Sequence, residues 1–284
     1  MFGLLRSPLA DHPGRASDAF VVLGMLAEER GRDSAGIALL SDGECRVAKA
    51  RGGFSAIWRP DLLEPLDASP LALGHTRWAT QGSPYELTNA SPLLVSGAAG
   101  TIVATHNGDI EAGALRELHA LPRPTGTTDS EPIFQLLAAR STTAEIAEAL
   151  ASLVGRAALA WADRARPGRV RLARAALSPL TVAIDTERNL YWGSNPRWFR
   201  EIEQHTAVRF ATVVMLREGT YLEAGLVQGH PHVLARASFT PTARAWDMDD
   251  RVWTGFTPAD RDRDQATLHH RVAPSPSDLV PTAA

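Results

Sequence analysis

Gly74-His75-Thr76-Arg77-Trp78-Ala79-Thr80-Gln81-Gly82 continues an apolar run that begins at Leu71. Residues 71–78 have the make-up of a buried strand, and the rest of the stretch turns small and polar, as a loop does. Toward the N-terminus, 34–40 and 46–50 also predict strands. Before them, Phe20, Leu23 and Leu26 give residues 17–29 a helical spacing. Toward the C-terminus, 101–106 predicts a strand, and 112–121, 129–140 and 142–154 predict helices. Thr128-Asp129-Ser130-Glu131 has the spacing of a capping box, with Thr128 as N-cap. From Gly155 the pattern turns to short strands at 157–161, 170–175, 181–185, 190–193 and 211–216. Strands, then helices, then strands predict a layered α+β sandwich rather than a doubly wound sheet.

The chain has 284 residues, 44% of them hydrophobic and 21% charged, which is globular composition. A net charge of -3 gives no basic footprint for nucleic acid or an anionic membrane surface. No apolar run approaches the ~20 residues of a membrane helix. Cys45 is the single cysteine, so an internal disulfide and a cysteine-based zinc site are excluded, and Lys49 is the single lysine. The opening MFGLLRSPLADHPGR lacks the make-up of a secretory signal, so the expected location is the cytoplasm. Residues 1–225 read as one domain. Residues 226–284 read as a polar, Pro-rich extension, partly disordered, with an aromatic segment at 246–256 that clips onto the body or onto a partner.

Five segments recur in a meaningful order: ERGRDSAG (29–36), GHTRWATQG (74–82), TNASP (88–92), THNGDIE (105–111) and TTDSE (127–131). Together they resemble the glutaminase domain of class II glutamine amidotransferases, N-terminal-nucleophile hydrolases that include glucosamine-6-phosphate synthase. The resemblance covers residues 1–225 and implies a four-layer αββα sandwich. It implies that Arg77, Trp78, Thr80, Gly108 and Asp129 bind glutamine, that Asn107 and Gly108 hold the oxyanion, and that Arg30 and Asp33 support the site from beneath. No cofactor and no metal are implied.

The residue types suit those tasks. Arginine offers a planar fork to a carboxylate, here Arg77 to the α-carboxylate. Asp129 can hold an α-ammonium group. Asn107 carries an amide donor, and Gly108 a backbone N–H open to close approach. Each also has a plainer reading. Arg77 could pair with Asp33, Asp129 could be a first-turn carboxylate, Asn107-Gly108 could be a hairpin turn, and Trp78 could fill core. The order of the segments favours the site.

The family's chemistry uses a cysteine directly after the initiator methionine, whose own α-amine serves as base. Here the chain reads Met1-Phe2-Gly3-Leu4-Leu5, so Phe2 stands at the nucleophile position and is inert. Its bulk predicts that Met1 is retained, with the α-amine one residue from where that chemistry needs it and a phenyl ring obstructing the site. Cys45 reads as a small buried hydrophobe. Ser34 and Thr76 lack an obvious base. Gln81 stands where the synthase pattern usually has histidine.

Three functions follow. The first is a degenerate amidotransferase domain that binds L-glutamine or a related amino acid, or regulates a paralogous subunit, without turnover. The second is an active glutaminase feeding ammonia to a separate synthase, with Phe2 an engineered or erroneous residue. The third is a structural or interaction protein with no amino-acid ligand. Among weaker features, His230/His232 and His269-His270 read as solvated histidines. Asp247, Asp249 and Asp250 are an incomplete calcium loop, and the alternating run 260–264 reads as a solvated face.

Overall fold

A computed structural model describes residues 1–247 and 253–273. The aspartates at 249 and 250, and the Pro-rich end from 274, lie outside the described residues. Seven antiparallel strands form the first sheet: β1 (Phe2–Leu5), β2 (Ser34–Ser41), β3 (Glu44–Arg51), β4 (Leu71–Arg77), β9 (Thr181–Asp185), β10 (Leu190–Gly193) and β11 (Phe210–Met215). Their order is β11-β9-β10-β1-β4-β2-β3. The second sheet contains β5 (Leu93–Gly97), β6 (Gly100–Ile110), β7 (Gly155–Asp163), β8 (Arg169–Arg174), β12 (Thr220–Val227) and β13 (His230–Ser238), in the order β13-β12-β8-β7-β6-β5.

Three apolar clusters define the layers. Helices α1 (Pro13–Ala27), α2 (Leu63–Ala68) and α6 (Pro196–His205) cover the outer face of the first sheet, with Phe20, Leu23, Leu66, Trp198 and Ile202 packing on Phe2, Leu4 and Ile37. On the second sheet's outer face, α3 (Ala112–His119), α4 (Ser130–Leu137) and α5 (Thr143–Ala151) bury Leu115, Phe134 and Ile146 against Ala104, Leu159 and Trp161. Between the sheets, Met1, Leu5, Leu73, Val103, Ala160, Leu172 and Trp192 form the third cluster. This is a four-layer αββα sandwich. The period of two residues along a strand assigns each side chain to a layer. In β1, Leu5 enters the inter-sheet layer, as does Met1 just before the strand, while Phe2 and Leu4 face the helices.

Several local details differ from the sequence reading. The helix at 129–140 begins at Ser130, and Thr128 is not its N-cap. Asp129 stands there with helical dihedrals and no capping bond, because its carboxylate is drawn to the backbone N–H of Ile110 at 3.0 Å. Glu131 instead accepts the N–H groups of Thr125 and Gly126 at 2.7 and 2.8 Å. The capping box belongs to α5, where Thr142 and Glu145 bond reciprocally. Backbone bonds there hold the Glu145 carboxyl down at about 2. Asn107 and Gly108 form no turn; they lie inside β6, opposite Ala158 and Ala157.

Sheet structure continues past residue 225 through β13. Beyond it, α7 (Pro258–Gln265) contains the alternating charge run, whose middle residues Arg261, Asp262 and Arg263 are exposed while its two ends are not. Asp260 and Asp264 are one turn apart on the inner side, buried and paired with Arg200 at 2.8 Å and Arg174 at 2.6 Å. Nor is His270 a free histidine: its Nδ1 lies 2.7 Å from the buried Glu218 carboxylate. Within the aromatic segment, Trp253 is buried against Phe256 at a centroid distance of 5.8 Å, while Trp246 is exposed. The Gly255 carbonyl accepts bonds from Asn195 (2.8 Å) and Arg197 (2.9 Å), so this segment lies on the body.

Candidate functional site

The C-terminal ends of β4 and β6, the start of α4 and the segment around Thr254 surround a cleft of about 840 Å³, including its open mouth. Arg30, Arg77, Trp78, Thr80, Asn107, Gly108 and Asp129 all line it. Residues far apart in sequence therefore converge. Phe2 and Asp33 do not line it.

Position 2 is the main departure. The Phe2 ring is fully buried on the helix side of the first sheet, 5.0 Å from the ring of Phe20 and 5.6 Å from that of Phe54. It lies over Gly74, where a Cβ would overlap the ring. It does not obstruct the cleft. Nor does the α-amine stand apart: the Met1 nitrogen donates to Asn107 Oδ1 at 3.1 Å and to Ser194 Oγ at 3.3 Å. Burial, and then the nearby charge of Arg30, lower that amine from 8.0 to about 4, so it is neutral at pH 7. Asn107 Nδ2 donates to Ser194 Oγ at 2.6 Å, which orients the side-chain amide.

Arg77 sits at the last position of β4 and is buried. Its guanidinium donates to the carbonyls of Gln81 (2.6 Å), Ser83 (3.2 Å) and Gly82 (3.4 Å), and so holds the loop that follows. Asp33 secures the same loop from the other side, its Oδ2 accepting from Ala79 N–H at 2.7 Å. Arg77 is thus bound to loop carbonyls rather than hydrogen-bonded to Asp33. Gln81 donates through Nε2 to Asp109 Oδ1 and the Ile110 carbonyl, at 2.5 and 3.0 Å. Thr80 Oγ1 reaches the Gly108 carbonyl at 3.4 Å, and Trp78 is exposed at the rim.

Gly108 is required where it lies. Its φ is 150°, and a Cβ would overlap the Arg156 carbonyl of the paired strand. Asp129 is buried, and burial raises its pKa against the opposing pull of His106. Arg30 donates to the Thr254 carbonyl at 3.3 Å and is lowered by burial to about 10.

Sequence reasoning assigned no role to His75, His106, Ser130, Arg156, Ser194 or Thr254. All except Ser194 line the cleft. Burial holds both histidines below their usual pKa, His75 well below, and His75 Nδ1 has no hydrogen-bond partner among the described residues. His75, His106 and Ser130 lie inside the quoted segments, so their signal was present. Thr254 comes from the far end of the chain and left none. Among the described residues, no three His, Cys, Asp or Glu side chains converge on a metal position, and no helix is long and apolar enough to cross a membrane.

With backbone donors, an orienting amide, the Asp129 carboxylate and the guanidinium groups of Arg30, Arg77 and Arg156 in its lining, the cleft can hold a small zwitterion. At position 2 it presents no heteroatom for covalent chemistry. Residues 64–168 match the family of class-II glutamine amidotransferases. The glutamine–fructose-6-phosphate aminotransferase of Oceanobacillus iheyensis is 32% identical over 236 residues, 81% of this chain and 38% of that one. The amidophosphoribosyltransferase of Rattus norvegicus is 38% identical over 148 residues, 49% and 28% of the two chains. The chain thus spans well under half the length of these relatives. Among solved structures, the glutamine phosphoribosylpyrophosphate amidotransferase of B. subtilis superposes with a TM-score of 0.63 at 18% identity, covering 85% of this chain and 50% of that one.

Proposed function

We propose, for a chain that belongs to the class II glutamine amidotransferase family, that it binds glutamine or a related amino acid without turning it over by the thioester route. The observation that carries this reading is the Phe2 ring. It fills core beside Phe20 and Phe54 and leaves no thiol at the cleft. An acyl-enzyme on residue 2 needs a nucleophilic atom there, and a hydrocarbon has none. The cradle supports retained binding: Asp129 for an ammonium group, Asn107 and Gly108 beside the amide, and Arg77 at the head of a loop it can release on meeting a carboxylate.

The role that follows is ligand sensing or regulation of a separate synthase or paralogous subunit. The relatives named above are longer chains whose names include fructose-6-phosphate or a phosphoribosyl group. The test has two arms on purified protein. Ammonia release from glutamine should not exceed a heat-killed control. Calorimetry should detect glutamine or glutamate binding at millimolar or tighter affinity, lost in Arg77→Ala. Steady ammonia release overturns the reading in favour of an active glutaminase. Absence of binding overturns it in favour of a purely structural role.

A further inference from the structure

We propose that Ser130 and His106 form a nucleophile–base pair in this cleft, able to take an acyl group from a small carboxylic ester. His106 Nδ1 lies 3.0 Å from Ser130 Oγ, and its Nε2 lies 3.4 Å from the Arg156 carbonyl. A carbonyl only accepts, so Nε2 carries the proton of the neutral ring. Nδ1 is then a lone pair, and the Ser130 hydroxyl must donate to it. That is the protonation pattern a general base requires. The strand period explains the meeting: Asn107 faces the inter-sheet layer with Met1, while His106 faces α4, whose first residue is Ser130.

The surroundings suit the step. Asp129 Oδ2 is 3.9 Å from His106 Nδ1 and stabilises the imidazolium that forms. The other charged or titratable groups facing the ring are Asp109 on its own strand, Arg156 on β7 and His75 on β4. Ser130 Oγ attacks the ester carbonyl carbon as its proton passes to Nδ1, and the carbonyl electron pair moves onto oxygen. Collapse expels the alkoxide, which takes the proton from Nδ1. Water, deprotonated by the same nitrogen, then attacks the acyl carbon; the bond from that carbon to Ser130 Oγ breaks, Ser130 Oγ takes the proton back from Nδ1, and the acid leaves. No thiol is involved, so the pair does not depend on position 2.

The test is covalent labelling with a fluorophosphonate, read by intact mass and peptide mapping, together with hydrolysis of p-nitrophenyl acetate. The expected result is one adduct, on Ser130, absent in Ser130→Ala and formed about 100-fold more slowly or worse in His106→Gln. Should His106→Gln fail to fold, the wild-type labelling rate serves: it should be flat above pH 7 and fall as pH drops through a pKa below the ordinary 6.5. An adduct elsewhere, equal labelling of Ser130→Ala, or a rate indifferent to pH and to His106 overturns the proposal. Ammonia release from glutamine that disappears in Ser130→Ala would support the pair while overturning the no-turnover reading, so the two fail separately.

Discussion

The end of the Phe2 ring lies against Gly74 of the neighbouring strand, in space that any side chain at position 74 would fill. Phe2 is therefore a core residue on the helix side of the first sheet, matched to a glycine, while the preceding residue supplies the group that reaches Asn107.

One consequence concerns stability. Phe2→Ala should cost about 3–5 kcal/mol, the usual penalty for emptying a buried phenyl site. Gly74→Ala should cost roughly 1–3 kcal/mol through overpacking. Urea melts of the two variants and the parent measure both. A Gly74→Ala protein as stable as the parent would show that the ring does not lie where described.

Restoring the family residue should not restore activity by itself. In Phe2→Cys the thiol would inherit the helix-facing direction of Cβ in β1, and burial between Phe20 and Phe54 disfavours the thiolate. The expected outcome is a destabilised protein without ammonia release, checked by a coupled ammonia assay beside a thermal melt.

Acid should loosen the fold through the groups buried beside the cleft. The Met1 amine, lowered from 8.0 to about 4, and His75 and His106, both lowered, bind fewer protons folded than unfolded. Their stabilisation is complete above the unfolded pKa values and is lost as pH falls toward the folded ones. The midpoint of thermal unfolding should therefore decline from pH 8 toward pH 4, and His75→Gln should make that decline shallower.

Helix α7 should hold by its inner carboxylates. Asp264→Asn leaves Arg174 buried without its 2.6 Å partner, and such losses typically cost about 3–5 kcal/mol. Replacing both, with Arg174→Met and Asp264→Leu, should cost less than the two single changes summed. Chemical denaturation of the four proteins completes the cycle.

Gly108→Ala should damage binding more than its size suggests. A Cβ there meets the Arg156 carbonyl, so β6 must move away from β7 next to Asn107. Loss of glutamine binding with a lowered melting temperature is expected from calorimetry and a thermal scan.

Much was legible from local pattern. Strands 181–185 and 190–193 stand where the alternation put them, and the segments at 29–36, 74–82, 105–111 and 127–131 supply most of the cleft lining. Strand β5, helix α6 and the β12–β13 pair went unread. In β13 the outward residues are polar or exposed and the edge position gives weak alternation. The charge run 260–264 misled because, in isolation, alternating Asp and Arg looks solvated. Arg261, Asp262 and Arg263 are exposed, but Asp260 and Asp264 are buried because Arg200 and Arg174 meet them from distant elements.

The sequence by itself determined the layers: apolar residues at spacings of two and of three to four can be hidden only by stacking two sheets between helices. The tertiary structure alone decided directions and partners. Which side of β1 carries the Phe2 ring, which carbonyls hold Arg77, and that His106 meets Ser130 all depend on register between strands and on contacts across many residues. No local pattern encodes those, because a one-residue shift of a strand reverses every side chain it carries.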